Sequence, residues 1–238
     1  YRPFYIAIAV LLVIVAVVVG FAIKDTPEEA GLYPDGANHP LKSESEGEEV
    51  KLTIKDILST KKGWQVIISF GALTFIINAC MGSMAMRYIT LGGGEPTIWL
   101  QAVKYLSIGA LLGIPMSYVF GLIDDKVGTV KAAIVLGLCE LMPILGLMLQ
   151  PEGGSKGLML LWGFGVACMT GGVPTLHPCI MAFAYGRREY QAANRIIMAI
   201  QLIPSAVAAQ IMVGFMQRGQ TTTAYIMLLI VLAVGIIT

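Results

Sequence analysis

Apolar runs of about twenty residues recur along this chain, and that is the length a helix needs to cross a bilayer. They fall at 4–23, 64–86, 99–123, 130–149, 158–185 and 196–216, and a further run opens at Ala224. In hydrocarbon a backbone must satisfy its own hydrogen bonds, so runs of this kind are helices. Composition agrees. Only 13% of the 238 residues are charged, against about 25% in a soluble domain. The chain therefore reads as an all-α membrane protein. A net charge of +1, with no cluster of basic and aromatic residues, argues against nucleic acid as a partner. Cys80, Cys139, Cys168 and Cys179 all sit inside apolar runs. They read as small buried hydrophobes, not as a disulfide framework or a metal site. No nucleophile–base pair, phosphate loop or metal-ligand set stands out, so the reading is not an enzyme, and no cofactor is implied.

The chain divides at 1–23, 24–62 and 63–238. The segment 24–62 is polar, with Pro27, Pro34, Pro40 and an acidic stretch from Glu44 to Glu49. Such a composition buries no core and reads as an exposed loop. Within it, Leu52 to Leu58 has the spacing of a short amphipathic helix capped by Thr53 and lying on the membrane surface. Basic residues in alternate loops set the orientation. One set carries Lys24, Lys42, Lys51, Lys55, Lys61, Lys62, Lys126, Lys131, Arg187, Arg188 and Arg195. The other carries only Arg87, Lys156 and Arg218. The loop 24–62 is thus placed on the cytoplasmic side. Both ends of the sequence fall in apolar runs, which reads as a piece cut from a longer protein.

Between the third and fourth runs lies Gly121-Leu-Ile-Asp-Asp-Lys-Val-Gly-Thr-Val-Lys131. Its pattern is carried by Gly121, Asp125, Lys126, Gly128 and Lys131. The flanks leave about eight residues to turn round, which makes the two spans antiparallel neighbours. Gly121 is expected to allow a close backbone approach and Gly128 to make the turn. Asp125 is expected to meet the positive N-terminal end of a helix. This stretch resembles the loop motif of the major facilitator superfamily, found between the second and third helices of each six-helix half. Thr129 and Val130 depart from it, standing where basic residues are commoner. Lys24 to Gly36 resembles the opening of the central loop in members that carry organic anions, the oxalate/formate antiporter-like group among them. Leu52 to Trp64 resembles the surface helix and entry to the seventh helix of the same members.

The resemblance implies a major facilitator fold: the sixth helix, the central loop and the C-terminal six-helix bundle with its last helix truncated. The N-terminal half of the same protein would precede Tyr1. It implies a multi-pass protein of the cell membrane, here a bacterial inner membrane. The function implied is secondary active transport of a small organic anion by alternating access, proton-coupled or by antiport with a counter-anion. Two alternatives stay open: a carrier of neutral or cationic solutes, as in drug efflux, and a membrane sensor without transport. In the oxalate transporter-like members, basic residues of the eighth and eleventh helices hold carboxylates. Here the eighth helix carries Lys104, whereas the eleventh has Gln201 and Gln210 and no base.

An ionisable residue within a span is costly and is by default a functional candidate. Glu140 lies about 13 Å beyond Lys131 along a helix, with Pro143 positioned to break the backbone after it. Burial favours its neutral form, which suits it to load and release a proton. The alternative is a buried acid bonded to a neighbouring helix. Lys104 sits about 8 Å below the outer boundary, able to bind an anion or to extend to the headgroups. His177, between Pro174 and Pro178, is a proton-shuttle candidate or a structural histidine. Gly171-Gly-Val-Pro174 is expected to break the fifth span and offer free amides to an anion, or else merely to kink it. Pro204 is expected to kink the sixth. Asn78, Ser69, Gln201 and Gln210 either line the path or join helices. Gln201 and Gln210 fall on opposite faces of one helix, so at most one of them faces a central cavity. Arg87 reads as an interfacial anchor.

Overall fold

The computed structural model describes residues 2–22, 52–94 and 97–238. The expected loop 24–62 falls largely outside the described residues. So does its likeness at Lys24 to Gly36. Helix α1, Arg2–Ala22, is apolar round its whole circumference and long enough to span a membrane. It belongs to a unit separate from the one that holds the other helices.

The second unit opens on the short helix α2, Ile54–Leu58. Thr53 and Asp56 cap it reciprocally, as the spacing predicts. The Asp56 N–H donates to Thr53 Oγ1 at 3.3 Å, and the Thr53 N–H donates to Asp56 Oδ2 at 2.8 Å. Bonds from the Thr53 hydroxyl and then its backbone hold the Asp56 carboxyl below its ordinary value. Ile57 is the buried residue of this helix. Its carbonyl lies against Gly63, where an added Cβ would sit 2.2 Å from that oxygen. The Trp64 indole N–H donates to the Leu58 carbonyl at 2.8 Å, tying α2 to the next helix.

Helix α3 covers Lys61–Leu91 and α4 covers Thr97–Val127. Helices α5, Thr129–Cys139, and α6, Leu141–Met148, form one span interrupted at Glu140. Helix α7, Lys156–Gln217, has two arms, Lys156–Gly186 and Glu189–Gln217, and turns at Gly186, whose φ is 68°. Helix α8 covers Thr221–Ile237. The described residues thus include six helices long and apolar enough to cross a membrane, with α8 a shorter apolar one. This is the all-α architecture expected.

Two local expectations are corrected. The hairpin after Gly121 does not use about eight residues. Helix α4 continues to Val127 and α5 starts at Thr129, so Gly128 alone turns the chain, at a φ of 89° that favours glycine. The Gly171-Gly-Val-Pro174 stretch does not break its span. The only non-helical backbone inside α7 is at Gly186, so no half-helix end is offered there. Pro204 lies inside the second arm, which keeps helical backbone angles there.

Gly171 serves packing instead. A Cβ there would lie 2.5 Å from the Gly113 carbonyl oxygen and 2.7 Å from the Ser117 nitrogen. A Cβ at Gly109 would lie 2.3 Å from the Gly163 carbonyl oxygen. Gly109, Gly113 and Ser117 recur at four-residue spacing, one face of α4, and let the two backbones touch. The Ser117 hydroxyl donates across to the Gly171 carbonyl at 3.2 Å. At the other end of the bundle the Arg87 guanidinium donates to the carbonyls of Leu147, Met148 and Gln150 at 3.1, 3.4 and 3.1 Å. These are carbonyls at and just past the end of α6, which no further turn of helix satisfies. Arg87 is therefore a fastener between α3 and α6 at a helix end.

Candidate functional site

A cavity of about 470 Å³ opens between α3 and both arms of α7. Its polar lining comes from Thr74 and Asn78 of α3, His177 of the first arm, and Asn194, Gln201 and Ser205 of the second. Helical spacing explains the grouping. Positions 74 and 78 are one turn apart, and 194, 201 and 205 share a face through steps of seven and four. Pro174, Met198 and Leu202 supply apolar wall.

Gln201 organises the site. Its Nε2 donates to the Val66 carbonyl of α3 at 3.0 Å. Its Oε1 then faces His177 Nε2 at 3.0 Å. A carbonyl can only accept, so the amide orientation is settled by Val66, and His177 Nε2 must carry a proton to donate. One side chain thereby joins three helical segments. The Phe70 ring meets the imidazole edge-on, with centroids 5.2 Å apart. The Ser205 hydroxyl donates to the Gln201 carbonyl at 2.9 Å, and Asn78 Nδ2 donates to the Thr74 carbonyl at 2.9 Å. Asn194 Oδ1 is shut from solvent and has no hydrogen-bond partner among the described residues.

Of the residues singled out from sequence, Asn78, His177 and Gln201 are brought together here. Gln210 is not. It is exposed, and with its amide turned to satisfy both ends its nitrogen donates to the Ala206 carbonyl at 2.9 Å. This fits the expectation that only one of the two glutamines faces a cavity. Lys104 is exposed on α4 and outside this lining. Ser69 lines a different cavity, beside Lys62 and Ile236. Glu140 is fully buried at the α5–α6 junction and also lies outside the lining.

The loop motif differs in detail from expectation. An added Cβ at Gly121 meets nothing within 4 Å, so no close backbone approach occurs there among the described residues. Asp125 is exposed in the last turn of α4, and the N-terminus of α5 has no side-chain cap. Its acid therefore does not meet that helix end. Its neighbour Asp124 is the more buried acid, with an Oδ1 closed off from solvent. Lys126 sits in the last turn of α4, where a cation suits the helix dipole. Lys131 is exposed one turn into α5.

Thr74, Asn194 and Ser205 were not singled out from sequence. Their signal was present, because each shares a helical face with a residue that was.

Several membrane-length helices packed through small residues around a polar cavity define a polytopic membrane protein. The family model of the Major Facilitator Superfamily matches residues 1–209, and the chain belongs to that superfamily of secondary transporters. No curated protein and no solved structure matches the chain.

Proposed function

We propose that the transported solute is a small organic anion of carboxylate type, of the kind carried by oxalate/formate antiporter-like members, and that the α3–α7 cavity lies on its path. The observation that carries the reading is the convergence of Asn78, His177 and Gln201 on that one cavity. His177 lies in that lining, and Lys104 of α4, outside the lining, is a fixed positive charge elsewhere on the path. Uptake is driven by a proton or by exchange for a second anion. A second reading is a neutral polar solute. What favours it is that no Lys, Arg, Asp or Glu lines the cavity among the described residues.

Lys104→Met separates the two. In proteoliposomes of the full-length protein, loss of a charge-assisted bond of about 1.5–3 kcal/mol should weaken carboxylate affinity about ten- to hundredfold. Neutral amide analogues should be unaffected. Equal affinity of variant and parent for carboxylates would leave the neutral reading standing.

In the orientation we propose, the α4–α5 turn faces the cytoplasm, as the basic residues of alternate loops suggest. Lys126 and Glu152 are exposed at opposite ends of the bundle. A cysteine at Lys126 should react with an impermeant thiol reagent only after cells are opened, and one at Glu152 in intact cells. The reverse pattern contradicts the orientation.

A further inference from the structure

We propose that Tyr190 and Asn194 are the recognition pair of the α3–α7 cavity, and that the solute they hold carries a single polar head on an apolar body of several carbons. The inference rests on the transport reading for the nature of the head: if that is a carboxylate, the solute is a monocarboxylate.

The polar groups of the lining fall into two sets. The first is committed to the protein itself. The Thr74 hydroxyl donates to the Phe70 carbonyl at 2.6 Å, the Asn78 amide to the Thr74 carbonyl and the Ser205 hydroxyl to the Gln201 carbonyl. Gln201 is stretched between Val66 and His177. These bonds fasten helices. The second set is Tyr190 and Asn194, which also line the cavity and are half-buried. Neither side chain makes a hydrogen bond to another described residue. In the Asn194 amide the sealed atom is Oδ1, so Nδ2 is the open one.

Tyr190 and Asn194 stand one turn apart at the start of the second arm, just past the turn at Gly186. Met198 and Leu202 continue their face by steps of four and line the same cavity. The arm therefore offers two free polar groups first and then only apolar side chains on that stripe, over about 12 Å from Asn194 to Leu202. Opposite them the first arm contributes Val173, Pro174 and Pro178, all apolar.

This division selects a solute. The Tyr190 hydroxyl and the Asn194 N–H can both donate, and carboxylate oxygens accept, so the pair suits one carboxylate. Beyond it, an apolar body gains by leaving water. A second carboxylate along that body would lose its water against apolar walls, and no Lys or Arg lines the cavity among the described residues to meet it.

Displacement of radiolabelled valerate from the full-length protein in lipid nanodiscs tests the pair. Affinity should rise from acetate through butyrate to valerate, by about fourfold for each CH₂ that is buried. Glutarate, with the same five carbons and a second carboxylate, should bind at least about tenfold more weakly than valerate. Tyr190→Phe and Asn194→Leu should each weaken valerate about tenfold and keep the gain per CH₂. Neither should lower thermal stability, because each removes groups that bond nothing in the protein. A merely structural role would lower stability and leave the preference among these acids unchanged. No displaceable valerate binding, equal affinity for acetate and valerate, or parent affinity in both variants would overturn the inference. Glutarate bound as tightly as valerate would overturn it too, and would leave the carboxylate reading standing. Valeramide bound as tightly as valerate, with the same loss in Tyr190→Phe, would sink the carboxylate reading and support the recognition pair.

Discussion

Gly171→Leu is expected to abolish the folded bundle, and Gly171→Ala to lower its stability by about 1–3 kcal/mol, the usual range for an overpacked core. The reason is which atoms stand in the way. A Cβ at Gly171 meets the Gly113 carbonyl oxygen at 2.5 Å and the Ser117 nitrogen at 2.7 Å. Both are backbone, so α4 and α7 must separate, and the Ser117–Gly171 bond is lost with them. Gly113→Ala should cost less. Its closest obstacle is Thr170 Oγ1 at 2.4 Å, a side-chain atom that can turn away. Gly121→Ala should cost nothing, since nothing lies within 4 Å and alanine is the better helix former. Thermal unfolding in detergent, followed by size-exclusion, gives the order directly. A Gly171→Ala protein as stable as its parent would mean that this helix pair is not close-packed.

Gln201→Leu is expected to lower stability by about 1–3 kcal/mol, because it leaves the His177 Nε2–H buried without a partner. Transport should fall with it, since the same amide joins α3 to both arms of α7. The test of mechanism is the pair. Replacing both partners by apolar groups of similar shape can be nearly neutral. Gln201→Leu with His177→Phe should therefore recover part of the stability lost by Gln201→Leu alone, a coupling measurable as a double-mutant cycle. Strict additivity of the two variants would show that the Gln201–His177 bond contributes nothing.

What was legible in the sequence was what length and spacing govern. The membrane helices, the α2 cap at Thr53 and Asp56, and the interruption at Glu140 before Pro143 each follow from a local rule. The errors lay where a local rule competes with packing. Gly171, Gly172 and Pro174 are helix breakers in isolation, yet the helix runs through them. Gly171 is small because α4 touches it, and a contact between residues over fifty positions apart leaves no mark in a local window. Gly121 was misread in the opposite sense. It looked like a contact glycine, and its Cβ position is open.

The candidate site divides in the same way. Asn78, His177 and Gln201 were visible as polar residues within spans, but their convergence depends on the turn at Gly186 folding the second arm of α7 against the first. The bridge from Gln201 to Val66 crosses 135 positions. Asn194, Gln201 and Ser205 could have been grouped from their shared face, as could Thr74 with Asn78. Placing Lys104 and Glu140 off the cavity needed the helix rotations, which all-round apolar spans do not encode.

The most direct test of the cavity as the solute path is protection from labelling. Cysteines are placed singly at Asn78, within the lining, and at Gln210, outside it on the same bundle. The full-length protein, with its native cysteines replaced, is reacted with a thiol reagent in proteoliposomes with and without a saturating transported carboxylate. Solute should slow the reaction at position 78 and leave that at position 210 unchanged. Equal rates at position 78 with and without a solute that is demonstrably transported would contradict the assignment of this cavity.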